Sequence, residues 1–270
     1  MGGEETVQFA VIKGRRGIPE QRPPYPAQYG LWDKPTAVNS IETLANVPVI
    51  IRDGPTAFMS VGTATTGGTK VLTVYDAVPD SEQKVVEVPF GATLREILRH
   101  AGFSRPEGDL RAIIVGGAEG GALPTSLLDT PFDYDPLEEA GAIVGSGVIE
   151  LLPSNTCMVA WPLERSRYLS KESCGKCVPC RVGLKRVTGI LEGIISDLGV
   201  SSDIDMLDEF SRYIPDGSLC GFGIHAPNAL RTAMRYWPDH FRAHVDDQQC
   251  LTGSCVPMRA HRFVTKHVLP

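Results

Sequence analysis

The chain has 270 residues, 42% hydrophobic and 21% charged, with a net charge of −6. That length suits two or three small folded units, and the acidic balance gives no footprint for nucleic acid or an anionic membrane surface. No apolar run reaches the roughly 18–20 residues of a membrane span, and Met1 to Glu5 has no charged-then-apolar leader pattern, so a cytoplasmic location is expected. There are seven cysteines, at 157, 174, 177, 180, 220, 250 and 255. An odd count without a leader argues against a disulfide framework, and clustered thiols in a reducing compartment more often hold metal.

In chain order, residues 1–66 come first and are rich in proline, with Arg22-Pro23-Pro24-Tyr25-Pro26 at their centre. Proline removes a backbone donor and fixes φ, so long helices and central strands are not expected here. The segment reads as an extended wrap with short pieces at 41–44 and 47–51. From Gly67 the pattern changes. Residues 70–75 and 84–88 read as strands, 93–100 as a helix capped by Thr93, and 111–115 and 148–152 as further strands. This is the pattern of a small α+β unit. After Cys157 helices are expected over 163–171, 181–198 and 204–214, and from Pro227 to about Tyr236.

The densest chemistry lies in Glu172-Ser173-Cys174-Gly175-Lys176-Cys177-Val178-Pro179-Cys180-Arg181. Three cysteines at CxxCxxC spacing place three thiolates around one small volume, and a cubane cluster takes a fourth thiolate from elsewhere. Cys220, in the turn Ser218-Leu219-Cys220-Gly221, supplies it. The alternatives are structural zinc, which uses two paired CxxC knuckles and fits this spacing poorly, and plain buried thiols. Gly175 and Gly221 would let backbone amides approach the cluster sulfurs. Those amides, with Lys176 and Arg181, would favour added negative charge and raise the reduction potential. With a thiolate on every iron there is no open position for a substrate, so the expected role of a 4Fe–4S cluster on Cys174, Cys177, Cys180 and Cys220 is one-electron transfer.

Beyond that motif the sequence resembles a known family over nearly its whole length. Gly3-Glu4-Glu5-Thr6 resembles a CGEET segment, Pro23-Pro24-Tyr25-Pro26-Ala27 a PPFPA segment, and residues 30–32 and 35–43 the segments GLW and PTxVNNVET. Together with ESCGKCVPCR these are similar to the NADH-binding flavoprotein subunit of respiratory complex I. That family also serves NAD-linked formate dehydrogenases and bifurcating hydrogenases. The resemblance implies an α+β multidomain chain: a remnant of an α/β flavin domain over 1–66, a β-grasp (soluble-ligand-binding) domain over 67–156, a helical bundle holding the cluster over 157–249, and a tail over 250–270. It implies hydride transfer from NADH to FMN, then single electrons to the cluster. It also implies partners: a thioredoxin-like 2Fe–2S subunit and a larger iron–sulfur or catalytic subunit.

The sequence departs from the family at its start. The family's glycine-rich FMN loop, GRGGAGFPxG, lies upstream of CGEET, where this sequence has only Met1 and Gly2. The resemblance assigns cofactor contacts to what remains. Glu4 and Glu5 match the acidic pair near the nicotinamide, Tyr25 an aromatic that touches NADH, Arg22 a basic position and Asn39 an FMN-contacting asparagine, while Ser40 replaces a second asparagine. The alternative is that these are vestigial surface residues. Three readings of the start stand side by side: a split subunit with a separate chain carrying the N-terminal FMN half, a fragment or misplaced gene start, or a flavin-free scaffolding module that keeps the cluster alone.

Three thiols remain. The tail around Cys250-Leu251-Thr252-Gly253-Ser254-Cys255 is similar to the HIxxKxCPAGVC tail of related subunits. With Cys157 and one imidazole these thiols would make a closed tetrahedral zinc site. His244 is the nearest imidazole in sequence, with His225 and His240 as competitors. The alternative is a small core Cys157 and free tail thiols.

Overall fold

Alternating apolar residues set the central sheet. A computed structural model of the chain describes residues 2–78 and 80–255. Its five strands are β1 (Thr69–Asp76), β2 (Lys84–Pro89), β3 (Leu110–Val115), β4 (Gly121–Leu123) and β5 (Val148–Pro153), in the order β2-β1-β5-β3-β4. β1 and β5 run parallel, with Thr73 opposite Val148, and the other pairs are antiparallel. Successive side chains of a strand point to opposite faces. In β3 this sends Ile113 and Val115 into one core and Ala112 and Ile114 into another.

The helices, in chain order, begin with α1 (Glu5–Ile12), α2 (Ile41–Asp53) and α3 (Pro55–Met59). Then come α4 (Leu94–His100) and α5 (Tyr134–Ala140), which cover the first face of the sheet through Leu94, Ile97 and Leu137. α6 (Ala160–Glu172), α7 (Leu184–Ile195), α8 (Ser201–Asp216), α9 (Gly221–His225), α10 (Asn228–Tyr236) and α11 (Pro238–Asp246) form a bundle. The bundle shares one core with the second face of the sheet through Leu169, Leu191, Leu207 and Phe241. The result is a mixed α+β molecule with its sheet between two helical layers.

The expected strands are all present, as is the Thr93 cap, where Thr93 and Glu96 complete a reciprocal capping box. Four features differ from the sequence expectation. α2 is a continuous 13-residue helix with Pro48 inside it, where the sequence predicts only short pieces; Ser40 accepts a hydrogen bond from the Thr43 N–H at 3.0 Å and starts it. The sequence pattern predicts none of α1, α3, α5, α9 and α11, nor the short strand β4. α7 ends at Ile195, and Val182 and Leu198, expected on its apolar face, are exposed. Pro227 caps α10 rather than opening it.

One contact closes the sheet edge. The backbone N–H of Ala122, on edge strand β4, donates to Thr232 Oγ1 at 2.9 Å. The bundle thus satisfies a donor that an edge strand would otherwise leave bare.

Candidate metal centres

The first centre forms where α6 ends. Ser173 leaves the helix, Gly175 turns at φ +82°, and a π-type turn over Pro179–Gly183 carries Cys180 into α7. A left-handed φ favours glycine, so position 175 needs it. Cys220 arrives from the opposite side as the residue before α9. The two halves interlock. The Leu219 N–H donates to Cys177 Sγ at 3.4 Å, and Ser173 Oγ lies 3.3 Å from Cys180 Sγ. A Cβ on Gly223 would lie 2.3 Å from Ser218 Oγ and 3.5 Å from Cys180 Cβ, so this glycine permits the close approach. Against protein atoms Gly221 has room, its nearest neighbour being His225 Cδ2 at 3.8 Å. The sequence singles out Gly221, whereas the tight packing falls on Gly223, against Ser218 in the same turn and Cys180 from the other half of the site.

All four thiols are free. Burial first, and then the neighbouring thiolates, push Cys180 up; burial also pushes Cys220 up, while the Gly223 and Phe222 N–H groups donate to it and work the other way. Thiols whose ionisation is opposed by burial and by one another fit a cationic iron–sulfur core, which would relieve both penalties.

Residues 1–66 touch this loop directly. Arg16 donates to the Cys174 carbonyl at 2.9 Å, and Lys176 donates back to the Pro19 carbonyl at 2.6 Å. Arg181 donates to the Gly175 carbonyl at 2.5 Å. Farther along the segment, Arg22 pairs with both Glu4 and Glu5 at 2.7 Å, and Glu4 caps α1 by accepting from the Val7 N–H at 2.8 Å. Three of the five residues assigned by resemblance are thus brought together. The other two are not: Tyr25 and Asn39 are exposed, the latter next to the Ser40 cap of α2. A cleft of about 610 Å³ opens on Cys220, walled by Glu4, Glu119, Glu138, His225 and Arg231.

The second centre joins Cys157, just before α6, with His244 on α11 and the tail thiols Cys250 and Cys255. Their four ligand atoms all lie within 4.8 Å of one another. Cys157 Sγ and His244 Nε2 are 3.7 Å apart, and His244 Nδ1 lies 2.7 Å from the His240 carbonyl, which turns Nε2 toward the thiols. Gly253 takes φ +64° to bend the tail between its cysteines. A hydrogen bond from Cys255 favours the Cys157 thiolate and pushes the Cys255 thiol up in turn. Burial works against a charged His244, yet Cys157 and the His240 carbonyl raise it to about 9. This three-thiol, one-imidazole donor set fits a tetrahedral divalent cation. Of the competitors, His240 accepts from the Met158 N–H at 3.4 Å, and His225 lines the cleft beside Cys220.

Fold and thiols together define an iron–sulfur protein of the electron-transfer class. Residues 163–244 match the NADH-ubiquinone oxidoreductase-F iron-sulfur binding region. The chain is 39% identical to the NADP-reducing hydrogenase subunit HndC of Solidesulfovibrio fructosivorans, over 95% of this chain and 52% of that protein. It is 33% identical to the F 2 subunit of NADH-quinone oxidoreductase in Rhizobium meliloti, over 92% of this chain and 59% of that one. A solved structure of NAD+-reducing [NiFe]-hydrogenase in the H2-reduced state superposes with a TM-score of 0.80 at 27% identity, over 100% of this chain and 46% of that one. Residues 163–244 thus carry the 4Fe–4S binding region of the NADH-quinone oxidoreductase F family, and nearly the whole chain is similar to the C-terminal portion of such subunits and of HndC. It spans about half the length of the curated relatives it matches.

Proposed function

We propose that the chain is the electron-input subunit of an NADH-linked oxidoreductase, holding a 4Fe–4S cluster on Cys174, Cys177, Cys180 and Cys220. The observation that carries this reading is the direct hydrogen bonding between the cluster loop and the segment bearing Glu4, Glu5 and Arg22. The cluster, when bound, supplies one-electron transfer; FMN, when bound by a complete flavin domain, connects it to a two-electron donor. The chain's own residues hold the thiolates, neutralise charge through Lys176, Arg181 and Arg16, and fix the acidic pair against Arg22. The cleft at Cys220 gives an acceptor a way to approach the cluster.

In this reading residues 1–66 are the last part of a flavin domain, 67–156 the β-grasp unit, 157–249 the cluster domain and 250–270 a tail. Zinc on Cys157, His244, Cys250 and Cys255 is structural and ties that tail to the bundle. The chain works with the FMN-binding half of the flavin domain and with other chains: a thioredoxin-like 2Fe–2S subunit and a larger iron–sulfur or catalytic subunit. No described helix is long and apolar enough to cross a membrane.

One observation favours a second reading, a flavin-free electron-transfer module: Tyr25 and Asn39 are exposed and engage no partner side chain in the described hydrogen bonds. Anaerobic iron and flavin quantitation separates the two, followed by EPR after dithionite and after NADH, with and without an added N-terminal flavin half. A dithionite signal that NADH also produces once that half is present supports the first reading. A dithionite signal that NADH never produces supports the second, and no cluster signal at all overturns both.

A further inference from the structure

The segment between α1 and Arg22 folds back along α1. Pro19 is buried, and a Cβ on Gly17 would sit 3.1 Å from Val7 Cγ1 and 3.3 Å from Val11 Cγ2, so the strap lies close on the helix. The Glu20 N–H donates to Thr6 Oγ1 at 2.8 Å, and Thr6 donates to Glu4 at 2.5 Å. The strap is therefore anchored to the same carboxylate that pairs with Arg22.

From this anchored strap one cation reaches the cluster loop, and from the loop one cation reaches the strap. Arg16 donates to the carbonyl of Cys174, an assigned cluster ligand, and Lys176 donates to the carbonyl of Pro19. The bonds are reciprocal and join residues more than 150 positions apart. Both are charge-assisted, and they place two positive charges on the loop that holds three of the four thiolates. Arg181 adds a third from within the loop, on the Gly175 carbonyl. The Gly175 backbone lies so close to the strap that a Cβ there would come within 4.0 Å of the Arg16 guanidinium. A cluster gains one negative charge on reduction, and nearby positive charge favours the reduced form.

Resting on the reading that these four thiols hold the cluster, we propose that Arg16 is a positioning residue that fixes the Cys174–Cys177 loop and raises the cluster's reduction potential from outside the cluster domain. The strap then has two tasks, to hold the acidic pair at one end and to set the cluster's electron affinity at the other.

The test is an EPR-monitored redox titration of the full chain with its cluster reconstituted anaerobically. R16Q keeps hydrogen-bond donors and removes the charge, while R16K keeps the charge. At the wild-type midpoint, R16Q is expected to lower the ratio of reduced to oxidised cluster by about threefold to tenfold, the upper end corresponding to about 59 mV for a one-electron couple. R16K is expected to stay within about twofold of wild type. An R16Q ratio within about twofold of wild type, with iron content intact, overturns the proposal. Should R16Q lose its iron, retention by R16K supports the proposal and equal loss in both overturns it. K176Q, which cuts the other bond of the clasp, is expected to shift the ratio in the same direction. A wild-type chain that takes up no cluster would instead overturn the functional reading on which the proposal rests.

Discussion

Asp133 shows how one side chain can join two parts of the molecule. It is 6% exposed, it caps α5 by accepting from the Tyr134 N–H, and its two oxygens take hydrogen bonds from Thr63 at 2.7 Å and Thr66 at 2.6 Å. Those threonines belong to the loop between α3 and β1, at the end of residues 1–66. Burial works against the charged carboxylate, but the Thr66 and Thr63 hydroxyls and the Tyr134 N–H outweigh it and hold the carboxyl below its ordinary value. A carboxyl depressed in the folded state stabilises the fold fully above the unfolded value, near 4, and loses that contribution as pH falls through the folded value. D133N is therefore expected to cost about 1–2 kcal/mol at pH 7. The gap from wild type should narrow as pH falls below about 4, where the carboxyl of the unfolded chain takes up its proton while the native one still resists it. Urea unfolding at pH 7 and pH 3.5 checks this, and a gap that does not change with pH would remove the carboxylate from the account. None of this was legible in the sequence, because Asp133 meets its threonines only after the chain has closed on itself. The four thiols proposed for the cluster stand out in the sequence for the opposite reason. Three are fixed by local spacing, and the fourth stands in a glycine turn after a periodic helix.

At the scale of elements, local signals are legible where they repeat. Strand alternation locates β1, β2, β3 and β5, and the period of α7 is clear from Leu184, Val187 and Leu191. They mislead where proline punctuates. Pro48 suggests a break, yet α2 runs through it, because its Ser40 cap and the ties of Glu42 to Lys70 and the Val71 N–H hold it against β1. α2 buries none of its side chains, and it leaves Ile41 87% and Ile51 78% exposed. An apolar helix face in water favours association but contributes little to the stability of the isolated chain. I51K is accordingly expected to change the unfolding free energy by less than about 0.5 kcal/mol and to reduce self-association at high concentration. Denaturation at low concentration and light scattering at high concentration measure the two effects separately. A large loss of stability would mean that Ile51 packs more tightly than its exposure indicates.

At the scale of the molecule, the two thiol centres lie at opposite ends of one helix, α6: Cys157 just before its start and Cys174 just after its end. Both Cys157 and Cys180 belong to the core that the bundle shares with the sheet. A cation on Cys157, His244, Cys250 and Cys255 would join the entry to α6, the helix α11 and the tail, with Cys157 far from the other three in sequence. Site formation and tail docking then become one event, since metal binding free energy is folding free energy when ligands come from separated segments. Metal analysis of the purified chain is expected to give about one zinc beside the iron. C255S removes one ligand without touching the cluster loop. It is expected to lose most of the zinc and to make the chain after Asp246 susceptible to limited proteolysis, while iron content and the dithionite EPR signal persist. The separation follows from the geometry, because the cluster's thiols are held by Gly175, Leu219 and Gly223 at the far end of α6, where the tail makes no hydrogen bond among the described residues. Loss of the EPR signal together with the zinc would mean that α6 transmits disorder from one centre to the other. Iron alone in wild type would leave Cys157 as a core thiol and the tail cysteines free.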